Sequence, residues 1–242
     1  MLRLNALKAM PNYPPETILS NVQPLLYDKV ASVRMEAMNV VAPVNAKLGT
    51  EDAAQFQKVM AEYMNVQEQM SHRPEGLFNR AILKNVTGNT AEAEQLYLLC
   101  IRRFPDFIPP YSNLIDMYRE KNRDNEAKKI AELGLIKHPE NPYLHYALGL
   151  WHIRQKDNLN GLAELKKAAL SGPSNPQMVY GYAIGLFSTR EQAKALELLE
   201  QFLARYGNQP LILDGLISIC HDMQLTDKAK KYSAVRAEVF QY

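Results

Sequence analysis

The stretch Ile108–Asn141, IPPYSNLIDMYREKNRDNEAKKIAELGLIKHPEN, decides the fold. Tyr111, Leu114, Ile115 and Tyr118 follow one another at steps of three and four, which puts them on one face of a helix. Asn122, Arg123, Asp124 and Asn125 then break the pattern with residues that favour turns. Ala127, Ile130, Ala131, Gly134 and Leu135 mark a second amphipathic helix. Pro139 stops it, because the proline ring cannot continue a helix. The stretch therefore reads as a helical hairpin.

The same plan extends in both directions. Segments 74–107, 108–141, 142–175, 176–209 and 210–242 align without gaps at a period of 34 residues. A small residue recurs at the twentieth position (Ala93, Ala127, Gly161, Ala195, Ala229). A proline recurs at the thirty-second (Pro105, Pro139, Pro173), with Gly207 replacing it in the fourth unit. A fixed period of this length means stacked helical hairpins, each burying its apolar face against its neighbours. Small residues in shared columns let two helix backbones approach closely, and a bulky side chain there would cost about 1–3 kcal/mol in overpacking.

With Tyr111, Leu114, Tyr118, Ala127 and Pro139 in the second unit, and Leu148, Gly149, Ala168 and Pro173 in the third, the chain from Pro74 onward resembles the tetratricopeptide repeat (TPR) family. The first unit departs from the pattern at Arg80, where leucine is usual, and at Lys84, where an aromatic is usual. The fifth stops at Tyr242, before any closing proline. The resemblance implies an all-α protein, a right-handed α-solenoid whose first helices line a concave groove. Carried over residue by residue, it places Asp116 and Arg119 of unit two in that groove, with Tyr143, Tyr146, Leu150 and Arg154 of unit three and Tyr180, Ile184 and Phe187 of unit four. An apolar centre within a polar rim is the anatomy of a binding surface. Two readings stand for Leu150, Ile184 and Phe187, groove contact or core, because curvature can bury such side chains against the next unit. For the tyrosines the hydroxyl favours a wet edge. If the groove holds a partner through them, Tyr146→Ala and Tyr180→Ala abolish its capture. The clamp that some TPR domains use for acidic chaperone tails is absent, since its positions hold Phe78, Ile82, Asn113, Tyr143 and Ala147 and only Asn113 fits.

Residues 1–49 lie outside this frame. Val22–Val44, VQPLLYDKVASVRMEAMNVVAPV, resembles a HEAT repeat, in which Asp28 belongs to the turn and Val33-Arg34 opens the second helix. Residues 1–10 look like the second helix of another such hairpin whose first helix is missing, leaving Leu2, Leu4, Leu7 and Met10 bare on one side. Either this helix caps itself, or the natural polypeptide extends upstream; bare leucines would also permit self-association. A connecting helix is expected within residues 50–73, running from about Glu51 to His72 with Thr50 as its cap. HEAT-like units, a long helix and TPR units in this order resemble the C-terminal region of certain bacterial multihaem c-type cytochromes. That resemblance implies a docking part of a larger redox protein. Cys220-His221 is only the tail of a haem-attachment motif, with Ile217 in place of the first cysteine, so no haem site is legible.

The remaining composition narrows the function. Of 242 residues 47% are hydrophobic, and 28 basic residues against 26 acidic ones leave a net charge of +2, which gives no electrostatic case for nucleic acid. No apolar run approaches the ~20 residues of a membrane-spanning helix. MLRLNALKAM lacks the features of a secretion signal, so the chain as it stands is expected in the cytoplasm, or in the periplasm if it is part of a longer exported protein. No phosphate loop, HExxH or GxSxG motif occurs. His145 and His152 lie roughly 10.5 Å apart along a helix, too far for one metal ion, and His138 adds no carboxylate or thiolate. Cys100 and Cys220 are too distant in a stack to bridge. The expectation is a non-catalytic scaffold, without cofactor, that binds a protein or peptide or another domain of its own longer chain.

Overall fold

The computed structural model describes residues 2–10 and 13–239; Met1, where the first helix was expected to start, and Phe240–Tyr242, with which the fifth unit was expected to close, lie outside them. The described residues are all-α, with no strand among them. In chain order the helices are α1 (Leu2–Ala9), α2 (Pro15–Asn21), α3 (Ala31–Val41), α4 (Thr50–Gln69), α5 (Pro74–Val86), α6 (Thr90–Arg103) and α7 (Pro109–Glu120). They continue with α8 (Asp124–Lys137), α9 (Pro142–Arg154), α10 (Asn158–Ser171), α11 (Pro176–Ser188), α12 (Gln192–Tyr206), α13 (Pro210–Asp222) and α14 (Thr226–Val239). Short 3-10 segments, Gln23–Tyr27 and Ala42–Lys47, flank α3. None of the described helices is long and apolar enough to cross a membrane. The packing divides the chain into two compact units, Met1–Pro110 and Tyr111–Tyr242, so the first 34-residue hairpin groups with the N-terminal region.

In the first unit, Leu26, Val33, Ala37, Met38, Val41, Phe56 and Val59 form one core. Asp28 organises the turn before α3. Its carboxylate accepts the Val30 N–H at 2.8 Å and pairs with Arg3. The Arg34 guanidinium donates to the Asp28 carbonyl at 2.8 Å and to both carboxylate oxygens of Glu62 at 2.9 and 3.0 Å. The residues that carried the HEAT resemblance thus tie the turn, α3 and α4 together. Leu7 is buried in this core and Met10 packs against it, so these two are used within the chain; the Leu2 side chain lies outside the description. The cap of α4 is Gly49, with Thr50 already helical, and the helix ends at Gln69 rather than His72. The departures of the first repeat have local partners. Arg80 reaches Ser71 Oγ at 3.4 Å and Glu68 at 3.9 Å, and Lys84 pairs with Glu92 at 2.9 Å.

The second unit is four hairpins, α7/α8 to α13/α14, with α7, α9 and α11 each touching the hairpin that follows. Every first helix opens on a proline in its first turn, where the missing N–H costs nothing. Each ends in the same way. The residue at the fifteenth position of the repeat takes a left-handed φ: Asn122 (56°), Lys156 (63°), Arg190 (66°) and Gln224 (59°), with Gly88 (87°) at the equivalent place in the first repeat. The N–H after each of the four reaches back to a carbonyl five residues earlier, as in Arg123 to Tyr118 at 2.8 Å and Leu225 to Cys220 at 2.8 Å. The left-handed residue itself bonds three back, as in Asn122 to Arg119 and Gln224 to His221, both at 3.0 Å. These paired bonds are the Schellman closure, which satisfies carbonyls that a helix end leaves unpaired. Identical closures give the four first helices one rotational register, and so place their equivalent positions on one face.

Candidate functional site

The face expected to bind a partner carries the second, fifth, ninth, twelfth and thirteenth positions of α7, α9, α11 and α13. Its register is fixed at the helix starts as well as the ends. Asn141 Oδ1 accepts the Leu144 N–H at 3.1 Å, and Asn175 Oδ1 accepts the Gln177 N–H at 2.9 Å. These caps hold Tyr143 in the first turn of α9, and Tyr146 of α9 and Tyr180 of α11 just beyond the first turn of theirs.

Two of those tyrosines are packing elements. Tyr146 is only 8% exposed. A Cβ on Gly181 would stand 2.5 Å from its ring carbon Cε2, with Cδ2 and Cζ at 3.3 and 3.5 Å, so the ring turns its edge to the backbone of α11. One repeat later Tyr180 lies against Gly215 of α13 in the same manner, at 2.8 Å. Each ring occupies the space that a missing side chain leaves on the next first helix. Tyr146 gathers Leu165, Ala168 and Met178 into a buried cluster, with Leu150 packed at its edge. Tyr180 and Phe187 edge the following cluster, around Ala183, Leu199 and Leu216. Ile184 lies outside both clusters and is 37% exposed.

At the α7 end the face turns polar. Asp116, Arg119, Glu120, Asn122, Asp124 and Arg154 line an open cleft of about 450 Å³. Arg119 pairs with Asp116 at 3.5 Å, and Arg154 with Asp124 at 2.7 Å. The Tyr143 hydroxyl donates to the Ser112 carbonyl at 3.5 Å; burial and the Asp116 carboxylate push it well up from the usual phenol range. Burial also raises the Tyr146 hydroxyl, partly offset by a hydrogen bond with Gln177. Of the nine residues expected in the groove, Asp116, Arg119 and Arg154 thus share one cleft, and Tyr143 and Leu150 edge the cluster in which Tyr146 is buried. Asn122 and Asp124 belong to the cleft although their sequence reads only as turn. The signal available was that Asp124 opens α8 while its turn faces the end of α9.

The histidines are engaged elsewhere. Both ring nitrogens of buried His145 face oxygen acceptors, Glu164 Oε2 at 2.6 Å and the Pro139 carbonyl at 2.7 Å, and His152 pairs with Asp157 at 2.9 Å. No group of three metal-ligating side chains occurs among the described residues. Cys100 and Cys220 are buried, and burial pushes the Cys100 thiol up to about 11, far from a reactive thiolate.

No protein-family model matches the chain, and no curated protein sequence does. Solved structures do. PilW, a widely conserved type IV pilus biogenesis factor, is similar at 15% identity and a TM-score of 0.62 over 85% of this chain and 94% of its own. MamA is similar at 16% identity and a TM-score of 0.55, over 68% of this chain and 90% of its own. YrrB, a TPR protein with an unusual peptide-binding site, gives 16% identity and a TM-score of 0.53 over 73% and 91%. At such identities the likeness establishes the fold, a solenoid of TPR hairpins.

Proposed function

We propose that the chain is a non-catalytic interaction scaffold that holds a segment of another protein along the first-helix face of α7, α9, α11 and α13. Ile184 carries the reading. A large apolar side chain stands exposed in the middle of that face, flanked in the repeat by Leu150, Tyr180 and Phe187 and bordered by the charged cleft around Arg119 and Arg154. Exposed apolar area within a polar rim gains from being covered. The description of YrrB as having a peptide-binding site agrees with this use of the fold. Within the face, Tyr146 and Tyr180 fill the space beside Gly181 and Gly215, and little of Tyr146 is left for a partner. Tyr146→Ala would open a cavity between α9 and α11 and so confuse binding with folding.

The discriminating experiment is selection of random peptides displayed on phage against the full chain and, separately, against Ile184→Asp. Ile184 is 37% exposed, and the helicity and melting temperature of the variant are measured first so that lost binding is not lost folding. Peptides enriched by the parent chain and lost on Ile184→Asp are the expected result. Equal enrichment on both, with Arg154→Ala equally silent, would place binding elsewhere and sink the proposal.

A further inference from the structure

The opposite face of the second unit carries an apolar feature that the groove does not explain. Ile136 on α8 is 76% exposed, and Leu170 on α10, at the same repeat position one unit later, is 69% exposed. Leu133 lies one turn before Ile136 and is also exposed. The strip ends at a pit of about 240 Å³, to which Leu170, Val179, Tyr182, Leu198 and Phe202 contribute. A cavity of some 150 Å³ already accepts a benzene ring, so this one has room for a single bulky side chain. Arg205 is the one charged residue lining the pit. It stacks over the Tyr206 ring at 5.3 Å and belongs to no ion pair among the described residues. Arg119, Arg123, Arg154 and Arg236 of the same unit have carboxylate partners; Arg190 has none among the described residues either, but it stands in the turn after α11 and does not line the pit.

We infer that this pit is a second docking site, for a partner-protein segment presenting a bulky apolar side chain beside a carboxylate. The side chain fills the pit, as anchors do at the centres of interfaces, and the carboxylate takes the guanidinium that stands without one. A fork of N–H donors at the lip gives that contact its direction. Leu170 at the lip and Ile136, at the same repeat position one unit earlier, offer further exposed apolar side chains on successive second helices, and more than one apolar contact favours a polypeptide over a small acid. The site shares no residue with the first-helix face and stands whether or not that face binds a partner.

Three acetylated eight-residue peptides with a common central Phe-Leu pair, flanked by aspartates, serines or lysines, test this against the ¹⁵N-labelled full chain. The expected result is amide shifts concentrated in α10 and α12, with affinity falling from acidic to neutral to basic by roughly two- to five-fold per step. Arg205→Glu should reverse that order, and Leu170→Ser should weaken all three peptides by about tenfold. Both positions are exposed, so neither change should affect folding, which circular dichroism will verify. An unchanged order on Arg205→Glu, or no shift with any peptide, overturns the inference. Shifts confined to residues around Leu150 and Ile184 would also overturn it while supporting the groove. Equal affinity of 3-phenylpropionate and the acidic peptide would make the pit a small-acid site instead.

Discussion

At the scale of single residues, the turn position is where conformation and residue type disagree most openly. A left-handed φ costs a residue with a Cβ about 1–2 kcal/mol, and only glycine and, less well, asparagine adopt it readily. Gly88 and Asn122 suit the position; Lys156, Arg190 and Gln224 do not. All three are exposed. Replacing Lys156 or Arg190 by glycine should therefore stabilise the fold by about 1 kcal/mol each, read as a Tm increase of about 2–4 °C. Loss of stability in both would show that the side chains contribute contacts larger than the strain. The opposite sign is expected at Gly181. A methyl group there meets the Tyr146 ring within the helix contact, so Gly181→Ala should destabilise by about 1–3 kcal/mol in urea unfolding. The double change Gly181→Ala with Tyr146→Leu should recover part of the loss, whereas an additive loss would mean that the ring is not the obstacle.

At the scale of helices, hairpins were legible and the contacts between them were not. Periodicity in Tyr111, Leu114, Ile115 and Tyr118 depends on one helix alone, and α7 forms where those residues predict it. The left-handed column escaped notice because Gly88, Asn122, Lys156, Arg190 and Gln224 share a backbone angle and no chemistry. The tyrosine–glycine contacts escaped because each relates the fifth position of one unit to the sixth of the next, which no column of an alignment displays. So Tyr146, whose hydroxyl favours a wet edge, is 8% exposed, while Ile184, for which groove and core both stand open, is 37% exposed. The link between α9 and α10 carries a pH signature. Burial alone would raise the Glu164 carboxyl, but hydrogen bonds from Lys167 and His145 outweigh it and hold the group below its usual value. A lowered carboxylate contributes stability above its unfolded pKa of about 4.3 and loses it as pH falls through the folded value. Glu164→Gln should therefore lower stability at neutral pH and flatten its decline below about pH 4.3; an unchanged acid limb would show that other carboxylates set it.

At the scale of the whole molecule, the division into Met1–Pro110 and Tyr111–Tyr242 has a direct spectroscopic consequence. The chain has one tryptophan, Trp151, and it belongs to α9 in the second unit. Its fluorescence reports only that unit, whereas far-ultraviolet circular dichroism reports helices in both. In urea the two signals should give separate midpoints, because each unit is compact in itself and chains of several such units need not unfold in one step. Coincident curves would mean that the units unfold as one.

The pairing of Tyr146 with Gly181, repeated by Tyr180 with Gly215, also bears on how such a chain changes length. Removing residues 176–209 joins Asn175 to Pro210 and brings Tyr146 opposite Gly215, the same ring against the same bare backbone. Elsewhere the seam does change: Gly185, where an added Cβ would already stand 2.9 Å from Leu162, gives way to Ile219. Recombination between misaligned copies of the gene can thus remove this one hairpin and keep the tyrosine joint filled, at the cost of repacking Leu162 around the isoleucine that takes the place of Gly185.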